Sequence, residues 1–184
     1  MFSKLHFLPL LLTAAAAHAA TLQQLSMDQM SRLSTSVVHA KVTGTSASLF
    51  AGSGGTIYTT YKLSVSEVWK GAATTEVMLP GGSVKGQRQS FPGVPELRIG
   101  GDYILFLWKS PSTGITHTLG LTQGIFDVSA QPDGTALASH KAGGELMIDS
   151  NGNKVSDPAT TQTLADLKSR VRSVSSAAVV RNAQ

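Results

Sequence analysis

Gly100-Gly101-Asp102 turns into Tyr103-Ile104-Leu105-Phe106-Leu107-Trp108, and this stretch decides the fold. Alternation along a strand puts Tyr103, Leu105 and Leu107 on one face and Ile104, Phe106 and Trp108 on the other. Both faces are apolar, so both must be covered. The simplest cover is a barrel interior on one side and a helix on the other.

Upstream, Thr56 to Trp69 carries the longest strand pattern of the chain. Ile57, Thr59, Tyr61, Leu63 and Val65 share one face. The apolar side then shifts to Val68, and that break in period two predicts a bulge near Ser66-Glu67. A long bulged strand that bends is what a small barrel needs at its corners. Lys70-Gly71 turns the chain, Glu76 to Leu79 pairs back, and Pro80-Gly81-Gly82 ends that strand. Ser83 to Gly101 follows as a long ordered crossing. It carries Lys85, Arg88 and Arg98, and long loops in compact domains often bear function.

The flanks supply the remaining elements. Thr21 to Ser34 reads as one helix, with a capping box from Thr21/Gln24 or from Ser26/Gln29. Val37 to Thr43 reads as a strand and Gly44 to Gly55 as a long, flexible loop or a frayed hairpin. Further strands are expected at Ile115 to Leu121, Gly124 to Ser129, Thr135 to His140 and Glu145 to Ile148. Asn151-Gly152 marks a two-residue hairpin, and Pro158 closes the β region. Leu164, Leu167, Val171 and Val174 make the apolar stripe of a last helix, Thr160 to Ser175. The expected division is residues 1–19 as a signal peptide, 20–36 as a helix on the barrel, 37–158 as the β domain, and 159–184 as a helix with a frayed tail.

Composition narrows the function classes. Charged residues make up only 14% of the 184 positions, beside 41% apolar, as in an ordered β domain rather than a disordered chain. The net charge of +4 has no cluster of Lys/Arg with interleaved aromatics behind it, which argues against nucleic acid. Lys4, the apolar run from Leu5 and Ala17-His18-Ala19 form an export address with a small-x-small cleavage pattern. The run is too short for a membrane span, for which about 20 apolar residues are needed. The mature chain is then expected to begin at Ala20 or Thr21, exported to the periplasm or beyond. With no cysteine, thiol catalysis, Cys-based zinc sites and disulfide scaffolding are excluded.

No catalytic motif stands out. His39, His117 and His140 fall on separate strands without metal-ligand spacing. Asp149-Ser150-Asn151-Gly152-Asn153 has its glycine two positions too early for a calcium loop and reads as a hairpin turn. No serine sits in a nucleophile elbow, no phosphate-cradling glycine motif occurs, and the carboxylates are scattered. No catalytic residue, metal or cofactor is assigned. The residues left as candidates for contact with a partner are Lys85, Arg88, Val94, Pro95 and Arg98, all on the crossing loop.

Val37 to Val42 followed by Tyr61 to Gly71, with Asp102 to Leu107 as a later strand, resembles the netrin/TIMP-like domains. Leu79-Pro80-Gly81-Gly82, Gly93-Val94-Pro95, Gly101-Asp102-Tyr103 and Gly120 to Phe126 resemble a set of uncharacterised secreted bacterial proteins, over about residues 25 to 130. The resemblance implies a mainly β fold, a small closed or partly open OB/NTR-like barrel with an N-terminal and a C-terminal helix. The inhibitors of that group chelate zinc through an N-terminal Cys, which this chain lacks. The expected function is an exported, non-enzymatic binding module for a protein or polysaccharide partner in the cell envelope or outside. Two alternatives stand beside it: an inhibitor or escort of a co-exported protease, with Gly93-Val94-Pro95 as the insertion tip, and a hydrolase with a carboxylate/His site.

Overall fold

The computed structural model describes residues 21–51, 54–143 and 145–181. The signal-peptide stretch lies outside the described residues. In chain order the elements are β1 (Thr21–Gln23), α1 (Met27–Leu33), β2 (Ser36–Leu49), β3 (Ile57–Lys70), β4 (Glu76–Pro80), β5 (Gly82–Val84), β6 (Gln87–Gln89) and β7 (Asp102–Lys109). There follow β8 (Thr116–Thr118), β9 (Ile125–Ala130), β10 (Ala136–His140), β11 (Leu146–Ile148), β12 (Lys154–Val155), β13 (Thr160–Thr163) and α2 (Leu164–Arg181). Among the described residues the fold is mainly β with two helices.

β7 contributes to both cores, as do β2 and β3. Leu105 and Phe106 are each 0% exposed. Tyr103, Leu105 and Leu107 pack with Val38, Val42, Leu63, Val77 and Leu79 from β2, β3 and β4. Ile104 and Phe106 pack on the other side with Phe126, Ala138, Met30 of α1, and Leu167 and Val171 of α2. Burying each of these large side chains stabilises the fold by about 1.5–3 kcal/mol, so the two-faced strand is where most of the apolar burial converges. Trp108 departs from the expectation. It lies at the open end of β7 and stays more than a third exposed.

One ladder runs β13-β10-β9-β7-β2-β3-β4, with β8 also on β7. Its end strands β13 and β4 do not pair, so the sheet is not closed into a barrel. β9 pairs with Tyr103 to Leu105 and β8 with Leu107 to Lys109. β8 comes back toward β4 without pairing to it, and Nδ1 of His117 lies 2.9 Å from the Met78 carbonyl oxygen.

The bulge falls where the sequence pattern breaks. His39 pairs with Glu67 and Ala40 with Val65, leaving Ser66 as the extra residue on β3, and its hydroxyl donates to the His39 carbonyl. Gly71 ends β3 at φ 70°, and a Cβ there would collide with the Thr35 carbonyl oxygen. Only glycine fits both the left-handed turn and the close backbone approach.

Three expectations are corrected. Residues 21–23 are a strand, parallel to β11, and helix α1 starts only at Met27. The Ser26/Gln29 capping box, not Thr21/Gln24, sets that start: Ser26 Oγ accepts from Gln29 N at 3.2 Å, and Gln29 Oε1 accepts from Ser26 N at 2.8 Å. After Gly44 the hairpin alternative replaces the flexible loop, because β2 continues to Leu49 and pairs with β3 as far as Ile57. The β region also outlasts Pro158. Thr160–Thr163 forms the antiparallel partner of β10, and α2 begins only after Thr163, whose hydroxyl accepts from Asp166 N. β-branched threonines favour the pleated edge over a helical turn.

Candidate functional site

The crossing loop folds into structure of its own. Lys85 sits exposed at the tip of the β5–β6 hairpin, with φ 49°. Arg88, Val94 and Pro95 converge on one groove of about 170 Å³, floored by Tyr61 and Leu79 and flanked by Phe91. Burial pushes the Tyr61 phenol above its ordinary value. The Gly93-Val94-Pro95 segment does not project. Val94 is packed against the core, and Gly93 lies against the side chain of Glu145, in space a Cβ would need.

Arg98 belongs elsewhere. Its guanidinium reaches Asp127 at 3.3 Å in a neighbouring hollow, where Lys141 holds the other oxygen of the same carboxylate at 3.0 Å. So three of the five candidate residues share a groove, and the other two stand apart.

A larger hollow lies elsewhere again. A cleft of about 600 Å³ opens between the helical layer and the small β1-β11-β12 sheet. Leu25, Met27, Met30 and Phe126 make its apolar lining. Gln23, Gln123, His140, Asp157, residues Thr160 to Gln162 and Arg170 supply the polar groups.

Tertiary structure alone builds the polar part. His140, on β10, and Asp157, ahead of β13, are each 6% exposed and meet through Nε2 and the two carboxylate oxygens at 2.9 and 3.0 Å. The other ring nitrogen, Nδ1, lies 3.2 Å from the Ile125 carbonyl oxygen. Asp157 also accepts from Gly143 N at 2.8 Å. Both imidazole nitrogens are therefore committed to acceptors of the fold, and neither is left to take a proton from a substrate. Arg170 is held by Asp28 at 2.9 Å, and Asp149 caps its own turn, accepting from Asn151 N and Asn153 N at 2.8 Å each. Those bonds, led by that of the Asn153 side chain, hold the Asp149 carboxyl below its ordinary value.

A fourth hollow, about 460 Å³, is bordered by His39, Glu67 and Lys168. Asp102 Oδ1 lies 3.0 Å from His39 Nε2 but makes no directed hydrogen bond with it, and that ring nitrogen is left without a hydrogen-bond partner among the described residues. Glu67 accepts from Lys168 and from Trp69 Nε1, the latter at 2.8 Å, and the Lys168 bond first holds its carboxyl below the usual range. A carboxylate saturated with donors is a poor general base.

Among the described residues no group of three His, Asp or Glu stands close enough to hold a metal ion, and no helix is long and apolar enough to cross a membrane. No protein-family model matches the chain, and no curated protein matches it either.

The charge-centred reading of the crossing loop missed His140, Asp157 and Gln123. One signal was available: Thr122-Gln123 interrupts two strands, and a polar residue there that the fold keeps buried must have internal partners.

Proposed function

We propose that the chain is an exported binding module without catalytic chemistry of its own, and that its ligand sits in the large cleft. One observation carries this. A hollow of about 600 Å³, in the size range of ligand sites, has its one histidine locked at both nitrogens. Such a site can hold and orient a ligand, and its histidine is not free to act as the base that activates a nucleophile.

The export half of the reading comes from Lys4, the apolar run from Leu5 and Ala17-His18-Ala19. The fold half extends the observed sheet to a partly open OB/NTR-like barrel. Its support is the β4-β3-β2-β7-β8 path, whose two ends are drawn together by His117 and Met78. The crossing loop is then a secondary surface, with Arg88, Val94 and Pro95 at a smaller groove for a protein or polysaccharide partner.

Two variants separate cleft from loop. Thr161→Trp, at an exposed position bordering the cleft, obstructs it, and the triple change Lys85→Ala, Arg88→Ala and Arg98→Ala strips the crossing loop of its cations. Each is expressed as the full chain, recovered from the cell envelope and compared with wild type for co-purifying material. The cleft variant is expected to lose it and the loop variant to keep it; the reverse pattern refutes the assignment. N-terminal sequencing of the recovered chain is expected to begin at Ala20 or Thr21. An intact Met1 in the cytoplasmic fraction refutes export.

A further inference from the structure

Three consecutive residues, Thr160, Thr161 and Gln162, border the cleft. Successive side chains of a strand point to opposite faces, so a hollow that touches three in a row meets the strand along its edge. β13 is the outermost strand of its sheet. β10 pairs with one side, and no described residue forms a backbone bond with the other. Alternate N–H and C=O groups of such an edge point outward without partners.

The opposite wall of the same cleft treats its edge differently. β1 is also the outer strand of its sheet, but Gln123 covers it from the side. The Gln123 Nε2 donates to the Gln23 carbonyl at 3.2 Å, and its Oε1 accepts from Leu25 N at 2.8 Å. A carboxamide with one donor and one acceptor thus stands in for a residue of a paired strand. Facing edges in one hollow are therefore one blunted and one open.

Charge argues against an anionic occupant. Arg170 is paired with Asp28, and the two carboxylates of the lining, Asp157 beside His140 and Asp149 in its own turn, offer an anion nothing to bind. What remains is a row of backbone donors and acceptors beside an apolar floor that includes Phe126.

We propose that the free edge of β13 is the binding element of the cleft and that its ligand is an extended peptide segment, added to the sheet as a further antiparallel strand. The inference rests on the cleft being the ligand site. Backbone pairing along four residues, roughly 13 Å of strand, supplies the affinity. Apolar side chains at alternate positions of the peptide meet the floor and supply selectivity.

The test uses the ¹⁵N-labelled mature chain and one probe, an acetylated, amidated hexapeptide alternating Thr and Val. Two analogues carry N-methyl groups at all Thr or at all Val positions, which removes the donors of one edge at a time. The expected result is shifted and exchange-protected amides in residues 160–163. One analogue binds at least about tenfold more weakly, the cost of lost hydrogen bonds to an otherwise unpaired edge, while the other binds as the parent does. Equal binding by both analogues overturns strand addition. So do shifts confined to Phe126 and His140, although in that case the cleft remains a ligand site and only its mode of binding is wrong. Absence of any shift at millimolar peptide also overturns the proposal, while the co-purification comparison still decides the cleft on its own.

Discussion

Replacing Asp157 by Ala tests whether the buried pair holds the cleft together. The carboxylate takes bonds from His140 Nε2 at 2.9 and 3.0 Å and from Gly143 N at 2.8 Å, and both side chains are 6% exposed. Removing it leaves a ring nitrogen and a backbone N–H facing a hole, in a place water reaches poorly. Each buried donor left without its partner costs about 1–3 kcal/mol, and two are left here. For a domain of this size each kcal/mol moves Tm by roughly 2–4 °C, so a fall of about 10 °C is expected. The double change Asp157→Leu with His140→Phe replaces the pair by apolar groups beside Phe126, whose ring lies 5.5 Å from that of His140. It is expected to recover most of the loss, because a desolvated pair and a well-packed apolar one are often close in free energy. The assay is urea unfolding of the wild type, of Asp157→Ala, and of Asp157→Leu and His140→Phe singly and together, the last three read as a coupling energy. If Asp157→Ala costs less than about 0.5 kcal/mol, the level of an ordinary surface change, or the two sites prove additive, the pair is not a structural latch.

Gly71→Ala is expected to destabilise by more than the ~1 kcal/mol of a left-handed residue, since the new Cβ meets the Thr35 carbonyl oxygen; thermal unfolding checks it, and a neutral result refutes the collision. Glu67→Gln is expected to lower stability at neutral pH. The folded carboxyl sits below its ordinary value of 4.5, chiefly through its bond to Lys168, so its contribution is present above that value and is lost as pH falls through the folded one. The gap between wild type and variant in urea midpoint should therefore close on acidification, and a constant gap contradicts the linkage. Lys70→Met keeps the apolar stem but removes three bonds from Nζ to the carbonyls of Ser31, Arg32 and Ser34 at 2.7, 2.8 and 2.6 Å. Loss of this cap is expected to cost about 1–3 kcal/mol and to speed amide exchange in α1; unchanged exchange rules the cap out.

The apolar run from Tyr103 to Trp108 was enough to place a strand covered on both faces, because period-two alternation is a local property and burial on each side follows from it. The Ser66 bulge and the stripe of α2 were legible for the same reason, as breaks and repeats in a short window. The Ser26/Gln29 cap was written in the chain as well, beside a competing pair at Thr21/Gln24, and only the pairing of β1 with β11 chose between them.

Local pattern could not foresee the cleft. His140 meets Asp157 across 17 positions, and Gln123 meets Gln23 across 100. Charge on the crossing loop was visible in the sequence but its destination was not: Arg98 goes to Asp127, away from Arg88. Whether the strands closed was likewise undecided until β8 approached β4 with a side chain rather than a ladder. Sequence alone determined most of the apolar faces that leave water, Trp108 excepted, since that depends on side-chain chemistry and spacing. Tertiary structure alone decided which polar groups meet once they do, because distant segments share a site only after the apolar faces have brought them together.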